Sequence, residues 1–162
     1  HEGVQADVYV LAKGLASGYP ISAVLFREEL GSWPPGAHGT TFGGQAVAAA
    51  AAHATLDLLE GGLQENAARL GEFLLAELRA LKRRFPFLGD VRGRGLMIGL
   101  DFGDPDHPQP DLRDKAVRLA FEKGLLLLPA GPSALRIAPP LVLTQEEAAL
   151  GLEILEEVFR AL

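Results

Sequence analysis

The sequence contains no cysteine, one methionine and one tryptophan among its 162 residues. Without cysteine the chain can form neither a disulfide scaffold nor a thiolate metal site. Basic residues are also few, with 15 lysines and arginines against 21 acidic residues, and they are scattered rather than clustered. Because the formal net charge is -6, the chain offers no basic surface for nucleic acid, and we expect no nucleic-acid partner.

Long hydrophobic runs are missing as well. No apolar run reaches the roughly 20 residues that a membrane-spanning helix needs, and the first residues lack the basic and apolar regions of a signal peptide. We therefore expect no membrane partner and, as the default, a cytoplasmic location. The four histidines, His1, His38, His53 and His107, show no metal-ligand spacing, and we predict no metal site.

Apolar residues make up 48% of the chain, enough for one domain with a substantial core or for parts of two. Residues 7–12 and 21–26 are short apolar runs that predict strands, and each is followed by a loop. The alanine-rich stretch 45–60 has high helix propensity and stops at two glycines, Gly61 and Gly62. Because its sides are nearly all apolar, we expect this helix to be buried, as we do the first strand.

From residue 63 onward the pattern predicts helix, strand, helix, strand, strand and helix. Leucine and alanine recur at spacings of three and four up to Phe85, which is typical of an amphipathic helix. The last helix has a start like a capping box at Thr144 and Glu147. The other predicted elements are strands at 96–102, 125–128 and 135–138 and a helix from its cap Asp111 to Gly124. This order predicts an α/β or α+β chain in two parts, 1–62 and 63–162.

Lys13 is the first candidate for chemistry because it ends an apolar strand and is flanked by small residues. A lysine in a partly desolvated pocket loses basicity and becomes a nucleophile that can form a Schiff base. The alternative is a lysine that has simply emerged from the strand into solvent.

Two further segments could bind anions. Residues 38–44, HGTTFGG, precede the alanine-rich helix, whose free amides would suit an anion. An ordinary helix entry with a threonine cap explains them equally. Arg136 lies in the short apolar run 135–138, where its guanidinium would suit a substrate carboxylate or a structural salt bridge. Arg92 and Arg94, in a turn with interleaved glycines, are expected to be solvated or bonded to backbone carbonyls.

Four segments in this order resemble the class III (omega-amino acid) aminotransferases, a subgroup of fold-type I pyridoxal-phosphate (PLP) enzymes. The segments are 8–21, 38–44, 92–100 and 135–141. The resemblance implies that residues 1–62 end the large PLP-binding domain and that 63–162 form the α+β small domain. It implies that Lys13 carries pyridoxal 5'-phosphate, that Thr41 contacts its phosphate across a homodimer interface, and that Arg136 grips the α-carboxylate of glutamate or 2-oxoglutarate.

The family's chains are more than twice this length. The resemblance therefore implies a missing N-terminal half that holds much of the cofactor site, and we expect this chain to be inactive alone. Gln45 and Ala46 stand where many members have Asn-Pro, which removes no catalytic group.

The implied reaction is transamination between an amino donor and a 2-oxo acid acceptor such as 2-oxoglutarate. The motifs favour a 4-aminobutyrate-type donor over an acetylornithine-type one. A PLP-dependent aminomutase or amino-acid racemase, and a non-catalytic dimerisation module of the same fold, are the alternatives.

Overall fold

The computed structural model describes residues 3–31 and 33–162. His1, one of the histidines considered above, lies outside the described residues. The chain divides into two compact units, His1–Gly61 and Gly62–Leu162. Gly62 has a φ of 127°, which glycine adopts more easily than other residues. The assignment of the two parts to a large and a small domain stays a prediction.

The first unit contains two strands and one long helix. Strand β1 (Val8–Leu11) pairs antiparallel with β2 (Ala23–Phe26), and helix α1 spans Ala46–Leu58. A π-helical turn, Leu59–Leu63, follows α1. The predicted strands and helix are therefore confirmed.

The burial predicted for these elements is wrong. The side chains of β1 are 43 to 71% exposed, and among the residues of α1 only Ala48 is buried. A two-stranded ribbon has no further layer of its own to cover its faces, so apolar composition alone does not bury it.

The second unit is a four-stranded antiparallel sheet with helices. Its sheet has the strand order β3-β4-β6-β5. Its elements are α2 (Gln64–Arg84), β3 (Leu88–Arg94), β4 (Met97–Phe102), α3 (Pro110–Glu122), β5 (Leu128–Ala130), β6 (Ala134–Ile137) and α4 (Gln145–Arg160). One face of the sheet carries the fully buried Ile98, Leu100 and Leu135 and joins the helices in a single core. Among the described helices, none is both long enough and apolar enough to cross a bilayer.

Three sequence predictions for this unit need correction. The segment 92–95, predicted as a turn, lies mostly in strand β3, because pairing with β4 lets Val91 pack into the core despite the low strand propensity of glycine and charged residues. Strand β5 starts at Leu128, where the predicted strand ends. Helix α3 begins at Pro110, and Asp111 lies inside its first turn and is not its cap.

Two close approaches position the sheet. A Cβ on Gly71 of α2 would lie 2.3 Å from the carbonyl oxygen of Gly95, so the helix crosses the β3–β4 turn without room for a side chain. Arg113 of α3 is buried and donates through Nη1 to the carbonyl oxygen of Ala134 at 3.3 Å and through Nε to Asp114 at 2.6 Å. The start of β6 is thereby attached to α3.

Candidate cofactor and substrate site

Lys13 follows β1 directly and begins a short 3-10 helix, Lys13–Ala16. Its φ is 54°, in the left-handed region, which costs a residue other than glycine roughly 1–2 kcal/mol. Ser17, which ends the 3-10 helix, has a φ of 47°. Such backbone conformations concentrate at functional sites, where the surrounding structure holds them in place. The sequence contains no signal for this strain.

Helix α1 holds this strained turn. Ala16 is fully buried, and the hydroxyl oxygens of Ser17 and Thr55 lie 3.0 Å apart. Thr55 also donates to the carbonyl oxygen of Ala51 at 2.8 Å. Because the proton of Thr55 is committed to Ala51, Ser17 is the donor to Thr55. The turn after Lys13 is therefore bonded to the last turn of α1.

The Lys13 side chain is exposed, and its amine has no hydrogen bond or ion pair within residues 3–31 and 33–162. The partly desolvated pocket considered from the sequence is thus not supplied by the described residues. What the chain supplies is a free amine at a fixed backbone position. That combination suits covalent attachment to a carbonyl compound.

Thr41 lies in a tightly folded segment just ahead of α1. A Cβ on Gly43 would lie 2.1 Å from Cγ2 of Thr40, whose side chain would have to shift, and Gly44 has a φ of 69°, which glycine adopts more easily than other residues. Trp33 packs edge-on against His38, with 4.5 Å between ring centroids, at the start of the segment.

Thr41 is itself exposed and without a side-chain partner among the described residues. Helix α1 begins after Gln45 with no side chain bonded to its first amides. The alternative of a threonine cap is therefore wrong, and the hydroxyl of Thr41 is available to a ligand.

Arg136 lies on the exposed face of β6, between Leu135 and Ile137, which face the core. It is opposite Gly99 of β4 and Leu128 of β5. Its guanidinium makes no ion pair or hydrogen bond within the described part of the chain. The alternative of a structural salt bridge is thus not found there, and the side chain is free to bind a carboxylate.

The guanidinium of Arg92, in contrast to that of Arg136, is paired with carboxylates. Its Nη2 donates to Oδ1 of Asp101 at 3.0 Å, and its Nη1 donates to Oδ2 of Asp101 and to Oδ2 of Asp90, the latter at 3.1 Å. Hydrogen bonds to both aspartates raise its pKa further above the usual value for arginine. Among the described residues its partners are thus two carboxylates and not the expected backbone carbonyls, while the expected exposure to solvent is confirmed, with 56% of the side chain exposed. Asp90 and Arg92 are two residues apart, which places both side chains on one face of a strand. This spacing was the sequence signal that could have predicted their pairing.

Lys13 and Thr41 belong to the first unit and Arg136 to the second, and no described side-chain interaction joins any two of them. They share exposure and an uncommitted polar group. Within residues 3–31 and 33–162, no three histidine or acidic side chains gather in a way that could hold a metal ion. The absence of a metal site stays a prediction.

The mixed α/β fold of the chain is that of fold-type I PLP-dependent aminotransferases, which solved structures share with it at 31 to 34% identity. The family model described as Aminotransferase class-III matches residues 1–159. The chain belongs to the class III aminotransferases.

Three relatives show the range of the family. An acetylornithine aminotransferase of Gloeobacter violaceus is 43% identical over 164 residues, covering 100% of this chain and 40% of that protein. An alanine/serine racemase of Pyrococcus horikoshii is 40% identical, covering 97% of this chain and 34% of that protein. The solved structure of an amine transaminase from an uncultivated Pseudomonas species, in the PLP-bound form, is 38% identical with a TM-score of 0.86, covering 98% of this chain and 39% of that chain. The chain thus spans about two fifths of the length of its relatives.

The cofactor of this family is pyridoxal 5'-phosphate. The described residues fit two of its groups. Lys13 offers an uncommitted amine for the aldehyde, and Thr41 offers an uncommitted hydroxyl for the phosphate.

Proposed function

We propose that this chain is the C-terminal part of a PLP-dependent aminotransferase in which Lys13 bonds the cofactor, Thr41 contacts its phosphate and Arg136 binds a substrate carboxylate. The observation that carries the proposal is the left-handed, solvent-exposed Lys13, whose amine is free of internal partners, in a class III chain. Residues 1–62 belong to the large domain and 63–162 to the small domain in this proposal.

PLP, when bound, supplies the electron sink that stabilises negative charge on the substrate carbon. Residues of this chain transfer the proton and position the lysine that does so. The Nζ of Lys13, once released, would take a proton from the substrate carbon and deliver it to C4′ of the cofactor, acting first as a general base and then as a general acid. The left-handed backbone of Lys13 and the Ser17–Thr55 hydrogen bond fix the start of this side chain, which reduces the conformational freedom lost on reaction.

Arg136 orients the acceptor, a 2-oxo acid such as 2-oxoglutarate, through a two-point contact with its carboxylate. Thr41 acts on the cofactor of the partner subunit, so the active protein is a homodimer completed by an N-terminal half. A cytoplasmic location is part of the same proposal. As a separate chain, residues 1–162 lack most of a cofactor pocket and are inactive.

The proposed amino donor is of the acetylornithine type. An acetylornithine aminotransferase with 43% identity over the whole chain supports this choice over the 4-aminobutyrate type that the motifs alone favoured. Donor preference is measured by steady-state assay of both amines with the complete protein. A higher kcat/KM for 4-aminobutyrate would overturn the choice of donor and leave the transaminase proposal intact.

An amino-acid racemase is the second candidate, because the racemase of Pyrococcus horikoshii matches 97% of the chain at 40% identity. The complete protein is incubated with one enantiomer of alanine or serine and no 2-oxo acid. Inversion without an acceptor supports the racemase, whereas keto-acid production that depends on the acceptor supports the transaminase.

Borohydride reduction of the complete, PLP-loaded protein tests the role of Lys13. We expect a covalent adduct on the peptide that contains Lys13 and on none of the other three lysines. A Lys13→Ala variant should lose the adduct and the absorbance of the bond between the cofactor aldehyde and the lysine amine. A Lys82→Ala variant should keep both. An unmodified Lys13 would instead support the non-catalytic dimerisation module.

A further inference from the structure

The face of the second unit's sheet that points away from the core carries a row of three residues. Arg92 of β3 is opposite Gly99 of β4, and Gly99 is opposite Arg136 of β6. Residues directly opposite in antiparallel strands share a face of the sheet. Because neighbouring strands lie about 4.8 Å apart, the backbones of Arg92 and Arg136 are roughly 10 Å apart, on either side of Gly99.

The side chain of Arg92 lies across the middle strand. A Cβ on Gly99 would be 3.8 Å from Cζ of Arg92 and 3.9 Å from its Nε. The guanidinium of Arg92 therefore lies above Gly99, one strand away from Arg136. Gly99 has no left-handed φ, so the described backbone does not require a glycine here. A Cβ at this position would make an ordinary van der Waals contact with Arg92.

Two arginines thus share one exposed surface and differ in their partners. Both oxygens of the Asp101 carboxylate accept hydrogen bonds from Arg92, and Asp90 accepts a third. Arg136 has no partner among the described residues. Three of the five N–H groups of Arg92 are engaged and two carboxylates offset its positive charge, so Arg92 attracts a further carboxylate less than the unpaired Arg136 does.

We propose that Asp101, assisted by Asp90, is a specificity-determining residue that withholds Arg92 from ligands, so that this sheet face binds one carboxylate and not two. The inference rests on the proposed function, because it takes Arg136 as the carboxylate-binding residue. Asp101 touches no substrate itself and acts through Arg92. Neutralising the two aspartates leaves the positive charge of Arg92 uncompensated beside Arg136 and creates a second carboxylate site.

The test compares two inhibitors with the complete, PLP-loaded protein. Glutarate carries two carboxylates and valerate carries one on a chain of the same number of carbons. In the Asp90→Asn/Asp101→Asn variant we expect the inhibition constant of glutarate to fall about tenfold, the effect of one added charge-assisted hydrogen bond, while that of valerate stays unchanged. An unchanged ratio of the two constants would overturn the inference.

Further variants test whether Arg92 causes the change in the ratio of the two inhibition constants. Adding Arg92→Gln should return the ratio to the wild-type value, and Asp101→Glu should retain the wild-type ratio because it keeps a carboxylate for Arg92. Glu156→Gln is the matched control, since Glu156, on helix α4, also accepts from two cations, Arg84 of α2 and Arg160 of α4. It should leave the ratio unchanged. If the double variant does not fold, Asp101→Asn alone should shift the ratio in the same direction by a smaller factor.

The failure of this inference is distinguishable from the failure of the proposed function. Arg136→Gln should weaken valerate binding at least tenfold. If it does not, the role of Arg136 is wrong. If Arg136→Gln weakens valerate while the aspartate variants leave the ratio unchanged, only the role of Asp101 is wrong.

Discussion

The hydroxyl groups of Ser17 and Thr55 lie 3.0 Å apart and connect the turn after Lys13 to helix α1. Both Lys13 and Ser17 have left-handed backbone conformations, which L-residues adopt at a cost. A strained turn persists only when its surroundings hold it. The bond from Ser17 to Thr55 is one of the contacts that hold the backbone next to the proposed cofactor lysine.

Replacing Thr55 with valine tests this connection, because valine keeps the shape and removes the hydroxyl. We expect the free energy of unfolding to fall by about 1–2 kcal/mol, because the substitution removes the bond from Ser17 and the bond to the carbonyl oxygen of Ala51, each worth about 1 kcal/mol. The complete protein should also bind PLP several-fold more weakly in a spectroscopic titration. Thr55→Ser keeps a hydroxyl and should resemble the wild type. Wild-type PLP affinity in Thr55→Val would show that the turn holds its conformation without this bond.

Gly71 and Gly151 are both helical glycines, yet alanine should affect them in opposite directions. A Cβ at Gly71 would meet the carbonyl oxygen of Gly95 at 2.3 Å, whereas one at Gly151 would meet only Cδ1 of Leu125, at 3.9 Å. Gly71→Ala should therefore destabilise the chain by about 2 kcal/mol, through overpacking against backbone. Gly151→Ala should stabilise it by up to about 1 kcal/mol, because alanine has the higher helix propensity. Urea unfolding of the two variants checks both signs, and equal effects would contradict the described packing of α2.

Helix α4 begins with a complete capping box. Thr144 Oγ1 accepts from the backbone nitrogen of Glu147 at 3.2 Å, and Oε2 of Glu147 accepts from the backbone nitrogen of Thr144 at 2.8 Å. Thr144→Ala removes the first bond and should lower the free energy of unfolding by about 1 kcal/mol. Thr144→Ser retains the hydroxyl and should stay close to the wild type in the same denaturation experiment. A loss as large in the serine variant would assign the effect to the threonine methyl group.

Glu156 should make stability depend on pH in the acidic range. Hydrogen bonds from Arg84 and then Arg160 lower the pKa of Glu156 from 4.5 to about 2. Because the folded pKa is the lower one, the stabilisation is fully present above about pH 4.5 and is lost as the pH falls toward 2.

Thermal unfolding between pH 7 and pH 2 measures this dependence. The midpoint of Glu156→Gln should fall less steeply below pH 4.5 than that of the wild type. Glu153→Gln is the control, since Glu153 is exposed on the same helix and has no ion pair within the described residues. Parallel curves for the wild type and Glu156→Gln would show that the two arginines do not stabilise the charged form.

Helices α2 and α4 were predicted from the sequence almost to their ends, because their signals are local. The spacing of leucines specifies one face of α2, and Thr144 with Glu147 specifies the first turn of α4. Strand β3 was not predicted, because its residues have little strand propensity of their own and extend only through pairing with β4. The burial of β1 was overestimated for a related reason, since burial depends on the layers that cover a strand and not on its composition.

For the candidate site, the sequence by itself determined which residue types occur in which order, and the order of the motifs around Lys13, Thr41 and Arg136 identified the family. Only the tertiary structure decided which polar groups are free. Arg92 and Arg136 are both arginines in strand segments, but Arg92 forms an ion pair with Asp101 of the adjacent strand, whereas Arg136 forms no ion pair among the described residues. Cross-strand neighbours are set by register between distant segments, so local sequence patterns do not reveal whether a charge is already paired.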